Sequence, residues 1–482
     1  MSIFWILIIP AILAILPAIV KKPRLLGRLN AAGYFFVLLC VSWFIMKQDL
    51  PVSFLKFFYV DSLSAFFMFT ISVITFAAAL FSIDYIRNDV KNKLISEDKA
   101  RAYYTFFNLF SLSMFFVPIA ANLAFVWVAI EMTTLMSAFL VGFYNTKASV
   151  EAAWKYIMIC SVGIIFALFG TIFFYYAGSL VGVKSLNWVD LVSASPGMGS
   201  NLIKIAFLFI LVGYGTKAGL VPMHTWLPDA HSQAISPASA LLSGVLLKTA
   251  VYAILRFSII TNKCVGIDFS SKLFVIFGLA SLGISAGFII IQKHMKRLLA
   301  YSSIEHVGII FLGLGFGGAI GVFGALFHVL NHAVTKSLMF FGAANIIKKY
   351  KKDNMNMIKG VMISMPFIGV MFILGMFSLI GMPPFSIFFS ELLVLAAGFS
   401  RGLYLASGLY LFFIALIFGA VIYHFSKVLF GHKPADMAIE KESATTKMTF
   451  VFLFVLMIAL GIAMPGFLNR IIVSSVVILQ GV

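Results

Sequence analysis

Long apolar stretches, broken by short polar segments, repeat along the whole chain. About fourteen of them have helical length, over 2–20, 29–46, 60–84, 102–118, 121–144, 152–177, 202–223, 238–258, 273–292, 300–316, 320–346, 361–399, 403–426 and 447–464. Crossing the roughly 30 Å hydrocarbon layer takes about 20 apolar residues in a helix, so the pattern predicts an all-α, polytopic membrane protein. The first stretch has neither a basic segment before it nor an Ala-x-Ala cleavage site, and it reads as a permanent helix. The stretch 361–399 is too long for one crossing. Gly381, Pro383 and Pro384 divide it, which predicts a broken helix or two half-helices. The whole of 1–482 reads as one transmembrane domain: three helices in 1–100, five in 101–258, five in 272–428 and a last one in 429–482.

Composition agrees. Charged residues are 11% of the chain and apolar ones 62%, too little charge to coat a soluble fold of this size. Cys40, Cys160 and Cys264 lie far apart and form no disulfide framework. The net charge of +18 is spread in clusters between apolar runs, unlike the basic face of a nucleic-acid binder. The clusters alternate. Odd-numbered loops with their flanks hold 23 of the 35 lysines and arginines. Even loops and the C-terminal tail hold nine: Lys47, Lys56, Lys184, Lys204, Arg256, Lys263, Lys272, Arg401 and Arg470. The positive-inside rule then puts odd loops in the cytoplasm and both termini outside.

Three lysines remain, deep inside apolar stretches: Lys217, Lys248 and Lys336. Glu131 and Glu391 are similarly placed, and Glu305 lies beside His306 near the start of the tenth stretch. A charge at the bilayer centre costs at least ~2.5–3.5 kcal/mol on insertion scales, so these side chains face the bundle interior, water or one another. Structural ion pairs between helices are one reading and an ion path is the other. Positions near span ends, such as Lys204 and Arg256, fit snorkelling and receive no function. His328, His332 and Lys336 recur every four residues and share one helix face. His-x-x-x-His could bind zinc, but no third ligand stands at a metalloprotease spacing, so no metal is expected. A titratable stripe fits better, because histidine exchanges protons near neutral pH.

Lys217 is flanked by Gly213, Gly215 and Gly219, with Pro222 following. Close helix packing on small residues would explain the glycines. A helix broken at an ionisable residue also would, and that is how secondary transporters build mid-membrane ion sites. Glu391 follows its own break. The spans in 102–258 and 273–426 form two blocks of five, and an odd block length inverts the second block in the membrane. Gly313-Leu-Gly315-Phe-Gly317-Gly318 mimics a dinucleotide fingerprint, but it follows a membrane span and reads as a turn. No Walker motif, cysteine cluster or haem attachment site occurs. No cofactor is expected in this chain, and redox chemistry would belong to partners.

The segment VPMHTWLPDAHSQAISPASALLSGVLLKTAVYAILRF at 221–257 resembles the signature of the antiporter-like membrane subunits of respiratory complex I, Mrp sodium/proton antiporters and membrane-bound hydrogenases. AYSSIEHVGIIFLGLGFGG (300–318), FHVLNHAVTKSLMFFGAAN (327–345) and LIGMPPFSIFFSELLVL (379–395) are most similar to the F-type subunit of hydrogenase-4-like nickel–iron hydrogenases. The resemblance covers roughly 60–430. It implies fourteen helices, two inverted five-helix repeats and broken seventh and twelfth helices. It carries the family's ionisable positions onto Glu131, Lys217, Lys248, His306, His328, His332, Lys336 and Glu391. Some family members have lysine where Glu391 stands. Longer relatives end in a lateral amphipathic helix, for which residues 465–482 leave no room.

The expected role is a proton-translocating subunit of a redox-driven complex, an energy-converting hydrogenase or a complex-I-like NADH:quinone oxidoreductase. The chain itself would not be the redox catalyst. Its partners would be other membrane subunits, the lipid bilayer and a peripheral arm with iron–sulfur and nickel–iron or NADH-oxidising subunits, in the cytoplasmic (inner) membrane. Protons would pass along Lys217, Lys248, His332, Lys336 and Glu391, with Glu131 switching Lys217. An ion pair at ~4 Å and an effective dielectric of about 20 is worth ~4 kcal/mol, which is enough for a switch. A subunit of a gradient-driven Mrp-type antiporter would use the same residues, and its discriminator is the partner set. A passive anchor would not need the buried charges.

Overall fold

The computed structural model describes residues 2–47, 49–55, 57–435, 437–439 and 441–481. Lys56, one of the cations assigned to the even loops, lies outside the described residues. The first three crossings are α1 (Ser2–Ile19), α2 (Pro23–Lys47) and α3 (Ser62–Lys91). A small antiparallel hairpin, β1 (Val52–Phe54) and β2 (Phe58–Val60), joins α2 to α3, with Val52 opposite Val60. The first block comprises α4 (Glu97–Ile119), α5 (Leu123–Val141), α6 (Lys147–Leu180), the short surface helix α7 (Trp188–Ala194), α8 (Ser200–Ala218), α9 (Trp226–Gln233), α10 (Ser236–Leu241) and α11 (Leu247–Val265). The second comprises α12 (Ile267–Ile291), α13 (Met295–Phe316), α14 (Gly318–Tyr350), the single turn α15 (Val361–Ser364), α16 (Pro366–Leu379), α17 (Ser386–Ser400) and α18 (Tyr404–Leu429). Helices α19 (Ala444–Ile462) and α20 (Gly466–Gln480) close the chain.

Among the described residues, twelve helices are long and apolar enough to cross a membrane, the α10–α11 stretch counting as one. Helix α1 and the α16–α17 pair bring the crossings to fourteen, as the sequence predicts. In each five-helix block the fourth crossing is the broken one: α8 then α9, and α16 then α17. The first break begins at Gly219, which takes a left-handed conformation (φ 81°) as it ends α8. The second begins at Gly381 (φ 67°), where an added Cβ would overlap the Glu391 carboxylate. Both positions therefore suit glycine.

Two features differ from the sequence expectation. The region after 464 is not a tail. Residues 463–465 interrupt a fourteenth crossing that α20 continues along α3, with Phe467 packed edge-on against Phe69 and Phe452 against Phe76. Arg256 does not snorkel. It is buried, and its guanidinium donates two 2.6 Å bonds to Asp61, the residue capping α3, and one of 2.9 Å to the Tyr252 hydroxyl. It also lies 4.4 Å over the Trp188 ring. An apolar helix end cannot show that a partner 195 positions earlier will meet it.

Loop-to-loop contacts sort the chain into two faces. On one, Phe58 bridges to Ala120 and Asn122 to Asn187. On the other, His294 bridges to Asn354, Lys348 pairs with Asp89 at 2.7 Å, and Gly360 bonds to Phe430. The second face carries the lysine-rich odd loops. Phe4 packs on Phe54, and Gly481 lies beside Lys263, so both ends of the chain sit on the hairpin face.

Candidate functional site

Two groups of ionisable side chains lie inside the bundle. The first is built on α5, α6 and α8. Lys217 occupies the last turn of α8, just before the break, and is fully buried. Its ammonium donates to Thr134 Oγ1 at 2.6 Å and to the Tyr156 hydroxyl at 2.8 Å. Thr134 stands one turn after Glu131 on α5 and donates to its Oε2 at 3.2 Å, while Ser161 of α6 donates to Oε1 at 3.0 Å. The threonine hydroxyl thus accepts from the lysine and donates to the carboxylate. Glu131 and Lys217 make no direct ion pair, and Thr134 relays between them. Ser137 and Tyr156 bond at 2.7 Å and hold the tyrosine in place.

The second group is a row across α11, α14, α13 and α17. Between α10 and α11 the helix widens into a π-helical turn over Leu242–Leu246. Such turns often mark functional sites. Here the turn leaves Ser243 O free to accept a 2.5 Å bond from Lys248 Nζ. The same ammonium lies 2.5 Å from His332 Nδ1. The His332 ring is 4.6 Å from that of His306, whose Nδ1 is 2.9 Å from His328 Nε2. His328 Nδ1 then meets Ser390 Oγ at 2.9 Å. Glu391 follows Ser390, and one ligand atom each from His306, His328 and Glu391 lies within 4.8 Å of the others. Every side chain in the row is buried.

Lys336 is set aside from this row. It shares its helix face with His328 and His332, but its ammonium donates to Leu299 O at 2.8 Å. Between His332 and Glu391 stand His306 and His328. No hydrogen bond joins Lys217 directly to Lys248. Between the groups stand Trp226, with its ring 4.8 Å from that of Tyr156, and His231, 6.5 Å beyond Trp226. His231 is fully buried with neither ring nitrogen hydrogen-bonded. It lies inside the 221–257 signature, so the sequence held the residue without showing that its ring stacks between Trp226 and Phe340. Thr134, Tyr156, Ser243 and Ser390 were also missed, because hydroxyl and backbone groups leave no charge signal in an apolar run. A cavity of about 470 Å³ opens on the lysine-rich face, lined by Tyr85, Tyr144, Ser236, Lys296 and Lys348 among others.

Residues 120–419 match the family described as NADH:quinone oxidoreductase/Mrp antiporter, transmembrane. The chain is 37% identical to the hydrogenase-4 component F homolog of Methylacidiphilum infernorum (isolate V4) over 90% of its own length and 91% of the relative's. It is 33% identical to hydrogenase-4 component B of Escherichia coli (strain K12) over 69% of its length and 49% of the relative's. Its fold is similar to that of a chain in the membrane-bound sulfane sulfur reductase, an archaeal respiratory membrane complex (TM-score 0.87, 23% identity, 99% and 96% covered). It is also similar to a chain of the Mrp complex from Dietzia sp. DQ12-45-1b (TM-score 0.83, 20% identity, 99% and 96% covered).

Proposed function

The chain belongs to the NADH:quinone oxidoreductase/Mrp antiporter transmembrane family, and from that premise we propose that it is the proton-translocating, antiporter-like subunit of a redox-driven complex of the hydrogenase-4 or complex-I type. The observation that carries this reading is the buried row Lys248–His332–His306–His328–Glu391, each member touching the next by hydrogen bond, ring contact or close approach of ligand atoms. A passive anchor would have no use for it, since each buried ionisable group raises the cost of insertion.

In the proposed mechanism, protons come from the lysine-rich face, taken as cytoplasmic, so both termini are external. The cavity at Lys296 and Lys348 is their inlet. Lys248 receives a proton through the widened turn and His332 shares it. His306 and His328 pass it to Glu391, which lines a cleft between α17 and α18. Imidazoles suit this because each carries one nitrogen that donates and one that accepts. Buried polar atoms are stable when hydrogen-bonded. The free nitrogens of His231, His306 and His332 are places where water would serve.

Glu131 is the switch. It is only half-buried, on a face of α5 and α6 whose neighbours Met132, Leu135, Trp154 and Met158 are exposed, a surface suited to another membrane subunit. A charge moving beside it there would weaken its hold on protonated Lys217 through Thr134 and release that proton toward the row. The partners are other membrane subunits and a peripheral arm with iron–sulfur and nickel–iron or NADH-oxidising subunits.

Gentle solubilisation followed by mass spectrometry of what co-purifies tests the assignment. A nickel–iron large subunit with iron–sulfur proteins is expected. A set of small membrane subunits without any redox protein would replace this reading with a gradient-driven sodium/proton antiporter, which the likeness to the Mrp chain favours as the second choice.

A further inference from the structure

The sequence offers His-x-x-x-His on α14 and no third ligand at a metal-binding spacing. The tertiary structure supplies different company. His328 of α14 meets His306 of α13 and Glu391 of α17, and one ligand atom from each lies within 4.8 Å of the other two. We propose that these three residues form a chelating site for a divalent cation of the zinc class, and that an ion seated there blocks the row.

Three observations support the site. The first is donor chemistry. Two imidazoles and a carboxylate suit zinc and its neighbours, while sodium, calcium and magnesium favour all-oxygen sites. The second is orientation. Ser390 Oγ donates to Ile387 O at 2.8 Å, so its lone pairs are free to accept from His328 Nδ1–H at 2.9 Å. That bond places the His328 proton on Nδ1 and leaves Nε2 as a bare ligand. Metal-bound histidines are held in the same way by their second nitrogen. The third is spacing. His306 Nδ1 faces that Nε2 at 2.9 Å, and two nitrogens on one tetrahedral zinc lie about 3.3 Å apart. To admit the ion the two rings would open by a few tenths of an ångström and turn their lone pairs toward a common point, and the Glu391 carboxylate would close on it from within 4.8 Å. The proton of that N–H···N bond then moves to His306 Nε2, which has no protein partner in the structure, so a water would have to accept from it. His332 lies outside this cluster of ligand atoms, and the Lys248 ammonium donating to its Nδ1 puts the ring proton on Nε2, leaving no lone pair there for a metal. Three protein ligands leave the fourth position to water.

The blocking effect follows because the ion takes the lone pairs and the carboxylate that carry the proton from His332 to the cleft. That half rests on the proposed function. Binding does not.

The intact complex is stripped with a chelator and loaded with Co²⁺ or Zn²⁺. The bound metal is counted by mass spectrometry, and its ligands are read from cobalt absorption and zinc X-ray absorption. One ion fewer per chain is expected in His328→Ala and in Glu391→Gln. No change is expected in His294→Ala, which removes an exposed histidine paired with Asp353. Ser390→Ala, which frees the ring orientation, should weaken binding by roughly 10- to 100-fold. Equal metal content in wild type and both ligand variants, or zinc without imidazole neighbours in wild type, overturns the site; the wild-type spectrum decides even where a variant fails to assemble. In sealed vesicles, zinc bound at the site with undiminished proton movement overturns the block alone. No proton movement in the absence of zinc would count against the proposed function instead.

Discussion

Replacing Glu131 by glutamine removes one negative charge and keeps both oxygen- and nitrogen-sized groups near Ser161 and Thr134. Its effect is set by the separation between the carboxylate and the Lys217 ammonium. The two make no direct ion pair, and they are no further apart than the 2.6 Å and 3.2 Å bonds through Thr134 laid end to end. At about 5 Å and an effective dielectric of about 20, the attraction is about 3 kcal/mol, somewhat less than a direct contact would give. That corresponds to roughly two decades in the proton occupancy of Lys217. In the proposed switch, a neighbouring subunit would act on Lys217 through this carboxylate. The assay is quenching of a pH-sensitive dye in inverted vesicles energised by the electron donor of the complex, with subunit content measured in the same membranes. Glu131→Gln should lower proton movement by at least tenfold at normal assembly. Thr134→Val, which keeps both charges but removes the relaying hydroxyl, should fall between wild type and Glu131→Gln. Full-rate proton movement in a correctly assembled Glu131→Gln complex would refute the switch.

Arg256→Met should strand Asp61 as a buried unpaired charge and lower stability by about 3–5 kcal/mol, read as a fall in thermal midpoint. The double variant Asp61→Ala/Arg256→Met should recover part of the loss, and an additive result would show that the pair is not coupled. Gly381→Ala should cost more than about 1 kcal/mol, since it puts a side chain at φ 67° and against Glu391; an unchanged midpoint would contradict the geometry of that break. His231→Phe keeps the stacking between Trp226 and Phe340 and removes both nitrogens. It should slow proton movement without lowering the thermal midpoint, and normal rates would show that protons do not pass between the two groups there.

Much about this protein was determined by the sequence alone. Fourteen crossings, two blocks of five, breaks after Lys217 and before Glu391, and charges deep in apolar runs can all be read within windows of about twenty residues. Burial in a membrane is a local property of composition, and glycine and proline punctuate a helix where they stand. Which side chains meet was decided only by the tertiary structure. Lipid tails and the bundle interior are both apolar, so an apolar helix does not announce which face turns inward. Hence Thr134 between Glu131 and Lys217, His306 rather than Lys336 after His332, and Asp61 beneath Arg256 were invisible along the chain. The π-helical turn before Lys248 was hidden for a related reason: one extra residue in a turn changes no residue's hydrophobicity, only where its carbonyl points.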